Sequence, residues 1–89
     1  MRIEFDDAKR AHTLAARGLD MEWATAVFTG ATLTVEDDRR DYGEARFITI
    51  GFLDEVMVVL VWTPRGDIRR VISMRKANER ERQLYGPRF

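Results

Sequence analysis

The spacing of apolar and polar positions predicts that the chain begins with a short strand followed by two helices. Residues 2–5 alternate between polar and apolar, as in a strand with one buried face. Asp6 and Asp20 stand where helices need an N-cap, and Gly18 and Gly30 stand where helices end. The apolar positions between these signals are Ala8, Ala11 and Ala15 in the first helix, and Met21, Ala24, Val27 and Phe28 in the second.

From residue 32 onward the apolar period changes to two, which predicts a series of strands. The predicted strands cover residues 32–35, 46–52, 56–62 and 68–75, separated by a charged loop at 36–44 and by turns at 54–55 and 63–67. Residues 56–62 are apolar on both faces, so this strand should be central in the sheet.

The C-terminal residues predict one more helix. Asn78 and Glu81 have the spacing of a capping box, and Gly86 and Pro87 should end a helix over residues 79–85. The order of elements predicts one α+β domain over residues 1–89: a short N-terminal strand, a helical hairpin, an antiparallel meander and a short C-terminal helix. Strands segregated from helices place the helices on one face of the sheet.

Composition excludes several kinds of site. The absence of cysteine rules out disulfides and thiolate nucleophiles, and His12 alone cannot form a zinc site. The acidic residues of the 36–44 loop match no calcium-binding spacing, so we expect neither a metal nor a cofactor.

Trp23 and Trp62 lie in apolar stripes and should be core residues. No apolar run approaches the roughly 20 residues of a membrane helix, so we expect no membrane partner and a cytoplasmic location.

The zero net charge conceals a basic C-terminal third. Residues 1–55 carry a net charge of −5 and residues 56–89 a net charge of +5. Thirteen of the fifteen basic residues are arginines, whose planar forks can bind phosphate through two donors. An anionic partner for this part of the chain is therefore expected.

Strand alternation distributes the arginines of the last strand over both faces. It predicts Arg69 and Arg75 on one face with Ser73, and Arg70 on the other face among apolar residues. A charge among apolar side chains is costly unless it is paired, so Arg70 should either pair with an acid or lie in a functional cleft. Arg80 alternates with glutamates on the short helix, as on a solvated face.

An ordered set of short segments resembles the BrnT family of ribonuclease toxins. Residues 70–77 read Arg-Val-Ile-Ser-Met-Arg-Lys-Ala, where the family carries Arg-Ile-Ile-Ser-Ala-Arg-Lys-Ala, and Glu81 and Tyr85 follow. The other matching pieces are Phe5-Asp6, Lys9, Gly18-Leu19, Ala26-Val27-Phe28, Glu44-x-Arg46, Gly51 and Thr63-x-Arg65-Gly66. The chain departs from the family at Thr13, Ala16 and Arg17, where the family often has Asn, Lys and His.

The resemblance implies a RelE-like fold and a type II toxin that cleaves RNA without a metal and inhibits growth. It also implies a BrnA-like ribbon-helix-helix antitoxin, through which the toxin would reach operator DNA only indirectly. RNA carries its own nucleophile, the 2′-hydroxyl, so fixed arginines that stabilise charge on the phosphate would suffice. Under this hypothesis the catalytic residues are Arg65, Arg70 and Arg75, the RNA-binding residues are Arg46, Lys76, Arg80 and Tyr85, and the candidates for a general base are Glu44 and Glu79.

Two other interpretations remain open at the level of sequence. The chain could be a non-catalytic partner of a ribbon-helix-helix repressor, with its arginines receiving an acidic peptide. It could also be a degenerate toxin that has lost activity through the departures at Ala16 and Arg17.

Overall fold

The computed structural model describes residues 1–89 and contains three α-helices and a five-stranded sheet. The helices are α1 (Asp7–Arg17), α2 (Ala24–Thr29) and α3 (Glu79–Tyr85), and the strands are β1 (Arg2–Glu4), β2 (Leu33–Glu36), β3 (Phe47–Leu53), β4 (Val56–Arg65) and β5 (Ile68–Lys76). Single 3₁₀ turns precede α2 at Met21–Trp23 and follow α3 at Gly86–Arg88. The predicted α+β class and order of elements are confirmed.

The sheet has the strand order β1-β5-β4-β3-β2, which places β4 in the centre as predicted. Strands β2 to β5 form the expected antiparallel meander, whereas β1 pairs in parallel with β5 and makes the sheet mixed. Strand β4 extends three residues beyond its predicted end, to Arg65. The following turn is therefore reduced to Gly66–Asp67, where Gly66 adopts the left-handed conformation with a φ of 61°.

The predicted capping residues begin and end the helices. The Asp6 side chain accepts a hydrogen bond from the Lys9 amide at 2.9 Å, and Gly18 ends α1 in the left-handed conformation. Asp20 caps the 3₁₀ turn rather than α2 itself, and Asn78 and Glu81 form the predicted capping box at the start of α3.

One face of the sheet forms the main core with α2 and the preceding 3₁₀ turn. The buried side chains of this core are Leu19, Met21, Ala24, Val27, Phe28, Val58, Leu60, Trp62, Val71 and Met74. Helix α2 approaches β3 at Gly51, where an added Cβ would lie 2.7 Å from Val27 Cγ1. Within this core, Thr49 accepts a hydrogen bond from Trp62 Nε1 at 2.8 Å, so the indole donor is satisfied.

Helices lie on both faces of the sheet, so the prediction of one helical face is wrong. The second face carries a smaller core of Ile50, Met57, Val59 and Ala77, and Tyr85 of α3 packs against it. Because β4 is apolar on both faces, its second face also needs a cover, and α3 covers only one end of it.

Helix α1 lies beside the sheet edge rather than across a face. Strand β1 pairs only with residues 68–70 of β5, and α1 lies along the rest of that edge. Lys9 Nζ donates to the Ile72 carbonyl at 3.1 Å and Arg17 Nη1 to the Met74 carbonyl at 2.9 Å. Thr13 is the only buried residue of α1, so the predicted alanine stripe is exposed. No helix is both long and apolar enough to cross a membrane.

The two tryptophans differ in environment. Trp62 is buried as predicted, but Trp23 is 46% exposed, which corrects its assignment to the core. Trp23 lies in the 3₁₀ turn, where residues three apart face the same way. Met21 and Ala24 therefore face inward together and Trp23 faces solvent.

Candidate functional site

A bulge in β5 determines which of its arginines share a face. Trp62 pairs with Val71 and Val61 pairs with Ser73, which leaves Ile72 as an extra residue in β5. Below the bulge Arg70 pairs with Thr63, and above it Arg75 pairs with Val59. Since Val59, Val61 and Thr63 alternate regularly along β4, Arg70, Ser73 and Arg75 all lie on the second face. The prediction that Arg70 and Arg75 occupy opposite faces is therefore wrong.

The uncovered part of this second face is a groove of about 480 Å³, which we call the arginine groove. Its floor consists of the aliphatic side chains Leu33, Val35, Ile48, Ile50, Val59 and Val61. Its rim consists of Arg17, Arg39, Arg75, Arg88, Ser73, Glu81 and Tyr85, with Thr34 at the edge. Four guanidinium groups thus surround one apolar floor on the face opposite α2.

Arg75 is held in the groove by Glu81. Its Nη1 and Nη2 atoms donate to the two carboxylate oxygens of Glu81 at 2.7 and 2.8 Å. These hydrogen bonds hold the pKa of Glu81 at about 2 and raise the pKa of Arg75. Glu81 also accepts from the Asn78 amide, so the capping box that starts α3 fixes the position of Arg75. Of the five guanidinium N–H groups of Arg75, two donate to Glu81 and one makes a long contact of 3.4 Å with the Lys76 carbonyl, which leaves two.

Arg39, another arginine of the rim, is held by a buried acid. Asp37 is buried and accepts from Arg39 Nε and Nη2 at 2.7 and 2.8 Å, and from the Tyr42 hydroxyl at 3.2 Å. The bonds from Arg39 hold the pKa of Asp37 at about 2. The charged loop predicted for residues 36–44 is therefore anchored at its start, and it presents a cation to the groove.

The other two rim arginines have no acidic partner. Neither Arg17 nor Arg88 has a carboxylate oxygen within 4.0 Å. Arg17 donates to the backbone carbonyl of Met74, which is neutral. The groove therefore has a local excess of positive charge although the chain as a whole is neutral.

Three further predicted residues lie on the same face of the sheet but outside the groove. Arg70 pairs with Glu4 at 3.4 Å, and Arg65 and Arg46 flank Glu44 at 3.7 and 3.5 Å. The Arg46 guanidinium stacks on the Tyr42 ring at 4.0 Å, and its buried Nε has no hydrogen-bond partner. These residues form a second charged cluster beyond Thr63.

The remaining predicted residues divide between the groove and open solvent. Tyr85 lines the groove. Lys76 pairs with Val58 on the opposite face, and both Arg80 and Glu79 are exposed on α3 outside the groove. Both candidates for a general base, Glu44 and Glu79, therefore lie away from the groove.

Sequence reasoning missed most of the rim. Arg17, Arg39 and Arg88 belong to three separate segments, and only the tertiary fold brings them to one groove. Glu81 was predicted as a helix cap, but nothing in its spacing indicated the ion pair with Arg75. One available signal was the strand at 56–62, because its second apolar face implied an apolar floor.

Comparison with known families gives one match that covers most of the chain. The model of the family described as "Ribonuclease toxin, BrnT, of type II toxin-antitoxin system" matches residues 5–81. No curated protein sequence matches the chain. Within the structure, no group of three or more His, Cys, Asp or Glu side chains is arranged to hold a metal ion.

Proposed function

Because the chain belongs to the BrnT family of ribonuclease toxins from type II toxin–antitoxin systems, we propose that it cleaves RNA in the arginine groove without a metal ion, and so inhibits translation and growth. The observation that carries this proposal is the set of four arginines around one groove, two of them without an acidic partner. Such a rim attracts a phosphate backbone, and guanidinium groups bind phosphate oxygens through paired donors.

The reaction assigned to the groove is internal transfer of a phosphodiester. The 2′-oxygen of RNA forms a bond to phosphorus and the bond to the 5′-oxygen breaks, while a proton leaves the 2′-hydroxyl and one reaches the departing oxygen. The products are a 2′,3′-cyclic phosphate and a 5′-hydroxyl. Negative charge increases on the phosphate oxygens in the transition state, and Arg75, already oriented by Glu81, offers N–H donors to them. Positioned donors of this kind need no reorganisation during the reaction.

The RNA is proposed to continue from the groove toward the second charged cluster. Arg70 and Arg75 face Thr63 and Val59, which are four residues apart on β4, so at about 3.3 Å per residue the two arginines lie roughly 13 Å apart along the strand. Arg75 lines the groove and Arg70 does not, so Arg75 is assigned to the scissile phosphate. Arg70, Arg65 and Arg46 are assigned to neighbouring nucleotides. Tyr85 offers a ring for base stacking in the groove, and Lys76 and Arg80 are assigned to RNA outside it.

The toxin is proposed to act in the cytoplasm with a BrnA-like ribbon-helix-helix antitoxin, which alone would contact operator DNA. The aliphatic floor of the groove suits a protein better than it suits RNA, because RNA bases stack on aromatic rings. An antitoxin segment with apolar side chains on the floor and acidic side chains at the arginines would exclude RNA.

The test is cleavage of a defined RNA by the purified chain in EDTA, with Arg75→Ala and the antitoxin as the other arms. We expect cleavage with cyclic-phosphate ends, a loss of about 100-fold or more in rate for Arg75→Ala, and no cleavage with stoichiometric antitoxin. Activity that disappears on chelation and returns with a divalent metal would overturn the metal-free mechanism. An inactive chain that still binds its antitoxin tightly would instead support the non-catalytic partner of a repressor.

A further inference from the structure

Arg17 reaches the arginine groove from outside the sheet. It lies in the last turn of α1, beside the part of β5 that has no strand partner on that side. The side chain crosses this edge, donates Nη1 to the Met74 carbonyl at 2.9 Å and lines the groove. Arg17 thus lies on the same rim as Arg75, although α1 and β5 are far apart in the sequence. Arg17 and Met74, which are joined by this hydrogen bond, are 57 residues apart.

The charge of Arg17 is more available than that of the arginines held by acids. Arg39 and Arg75 each give two donors to a carboxylate, which offsets their charge. Arg17 gives one donor to a neutral carbonyl and has no carboxylate within 4.0 Å. Four of its five N–H groups are therefore free to bind an anion.

We propose that Arg17 is a substrate-binding residue that holds an RNA phosphate in the groove. The inference rests on the proposed function, because it takes RNA as the ligand of the groove. In this arrangement the Met74 carbonyl orients the guanidinium, and the free edge of β5 lets the side chain pass from α1 to the second face. The chain then binds RNA with a residue of its acidic half.

The competing explanation is that Arg17 only attaches α1 to β5, and the chain contains a matched control for it. Lys9 makes the same kind of contact, from Nζ to the Ile72 carbonyl at 3.1 Å, but does not line the groove. Both Arg17→Ala and Lys9→Ala remove one cation from α1 and one bond to the β5 edge. They differ in whether a charge is lost from the groove.

The experiment measures RNA affinity as a function of salt, melting temperature and cleavage rate for both variants. Affinity is measured with a non-cleavable oligonucleotide that has a 2′-deoxy residue at the cleavage position. We expect the two variants to melt alike, while only Arg17→Ala decreases the slope of log affinity against log salt, by about 0.7 for one single-strand phosphate contact. Its kcat/KM should fall by about 10-fold or more through KM, and Arg17→Lys should restore much of the salt slope, because lysine keeps the charge.

If Arg17→Ala and Lys9→Ala have the same RNA affinity, salt slope and cleavage rate, Arg17 serves only to attach α1 to β5. If Arg17→Ala unfolds, Arg17→Gln replaces it, since glutamine keeps a donor for the Met74 carbonyl without the charge. Failure of the proposed function gives a different pattern. In that case the wild-type chain does not cleave RNA and Arg75→Ala does not change RNA affinity. If only the role of Arg17 is wrong, the wild-type chain cleaves RNA and Arg75→Ala still lowers the cleavage rate.

Discussion

At the scale of single residues, partners decide what each arginine can do. The sequence correctly singled out Arg70 as a charge in need of a partner, and Glu4 of β1 lies 3.4 Å from it. The sequence could not show that this pair is accessible, with side chains 31% and 37% exposed. Exposure matters here because ion pairs near solvent contribute about 0–1 kcal/mol, whereas breaking a buried pair costs about 3–5 kcal/mol.

Replacement of Arg70 therefore separates function from stability. We expect Arg70→Ala to lower the melting temperature by no more than about 4–8 °C, the shift that 1 kcal/mol produces in a domain of this size. RNA cleavage should fall by about 10-fold or more, because a backbone contact is lost. Thermal melting and initial cleavage rates measure the two effects, and Arg82→Ala on α3 is the control for loss of one arginine. A variant that melts many degrees lower but cleaves at the wild-type rate would place Arg70 in the scaffold.

At the scale of elements, local signals predicted the helices and strands, but tertiary contacts decided their faces. The caps at Asp6, Gly18 and Asn78 act within three or four residues, so they can be read directly from the chain. Neither a glycine nor a break in the apolar pattern marks the bulge at Ile72 in the sequence. This bulge nevertheless brings Arg70 and Arg75 to one face of the sheet. Tertiary contacts also explain why the alanine stripe of α1 is exposed, since ion pairs and contacts with backbone carbonyls hold that helix at the edge of the sheet.

The packing of α2 on β3 gives a prediction about Gly51. The methyl group added by Gly51→Ala would lie 2.7 Å from Val27 Cγ1 and 3.2 Å from Thr32 Cγ2, so α2 would have to move away from the sheet. We expect this substitution to destabilise the fold by about 1–3 kcal/mol in a urea melt, as overpacked cores do. Gly30→Ala is the control, because its new methyl group meets nothing closer than 3.7 Å. Equal midpoints for the two variants would mean that the close approach of α2 carries no energetic weight.

At the scale of the whole molecule, the fold redistributes the charge that the sequence divides into two halves. Residues 1–55 are acidic, yet Arg17 and Arg39 come from this half and join Arg75 and Arg88 at the groove. The distribution of charge along the sequence therefore indicated the basic surface only in part. It identified the C-terminal arginines, whereas the charges supplied by α1 and the loop after β2 depend on contacts far apart in the chain.

The same arrangement links the groove to the stability of the molecule through its carboxylates. Arg39 holds the pKa of Asp37 at about 2, and Arg75 holds that of Glu81 at about 2, against ordinary values of 3.8 and 4.5. A hydrogen bond from Arg10 likewise lowers the pKa of Asp20. Because these groups lose protons more easily in the folded state, they stabilise it fully above the unfolded pKa values. Their contribution declines as the pH falls toward 2.

Acid should therefore lower the melting temperature mainly between about pH 4.5 and pH 2, and Glu81 should account for a definable part of this loss. We expect Glu81→Gln to melt below the wild type at neutral pH, because Arg75 loses its charged partner and α3 loses part of its cap. The two proteins should converge near pH 2, where Glu81 of the wild type becomes protonated, so the variant has the shallower acid profile. Glu79→Gln is the matched control, since Glu79 lies on the same helix with no cation within 4.0 Å and should keep the wild-type slope. The measurement is a series of melting curves from pH 7 to pH 2. Parallel profiles for all three proteins would mean that the ion pair of Glu81 with Arg75 contributes no stability. In that case α3 is held against the sheet by its apolar contacts alone.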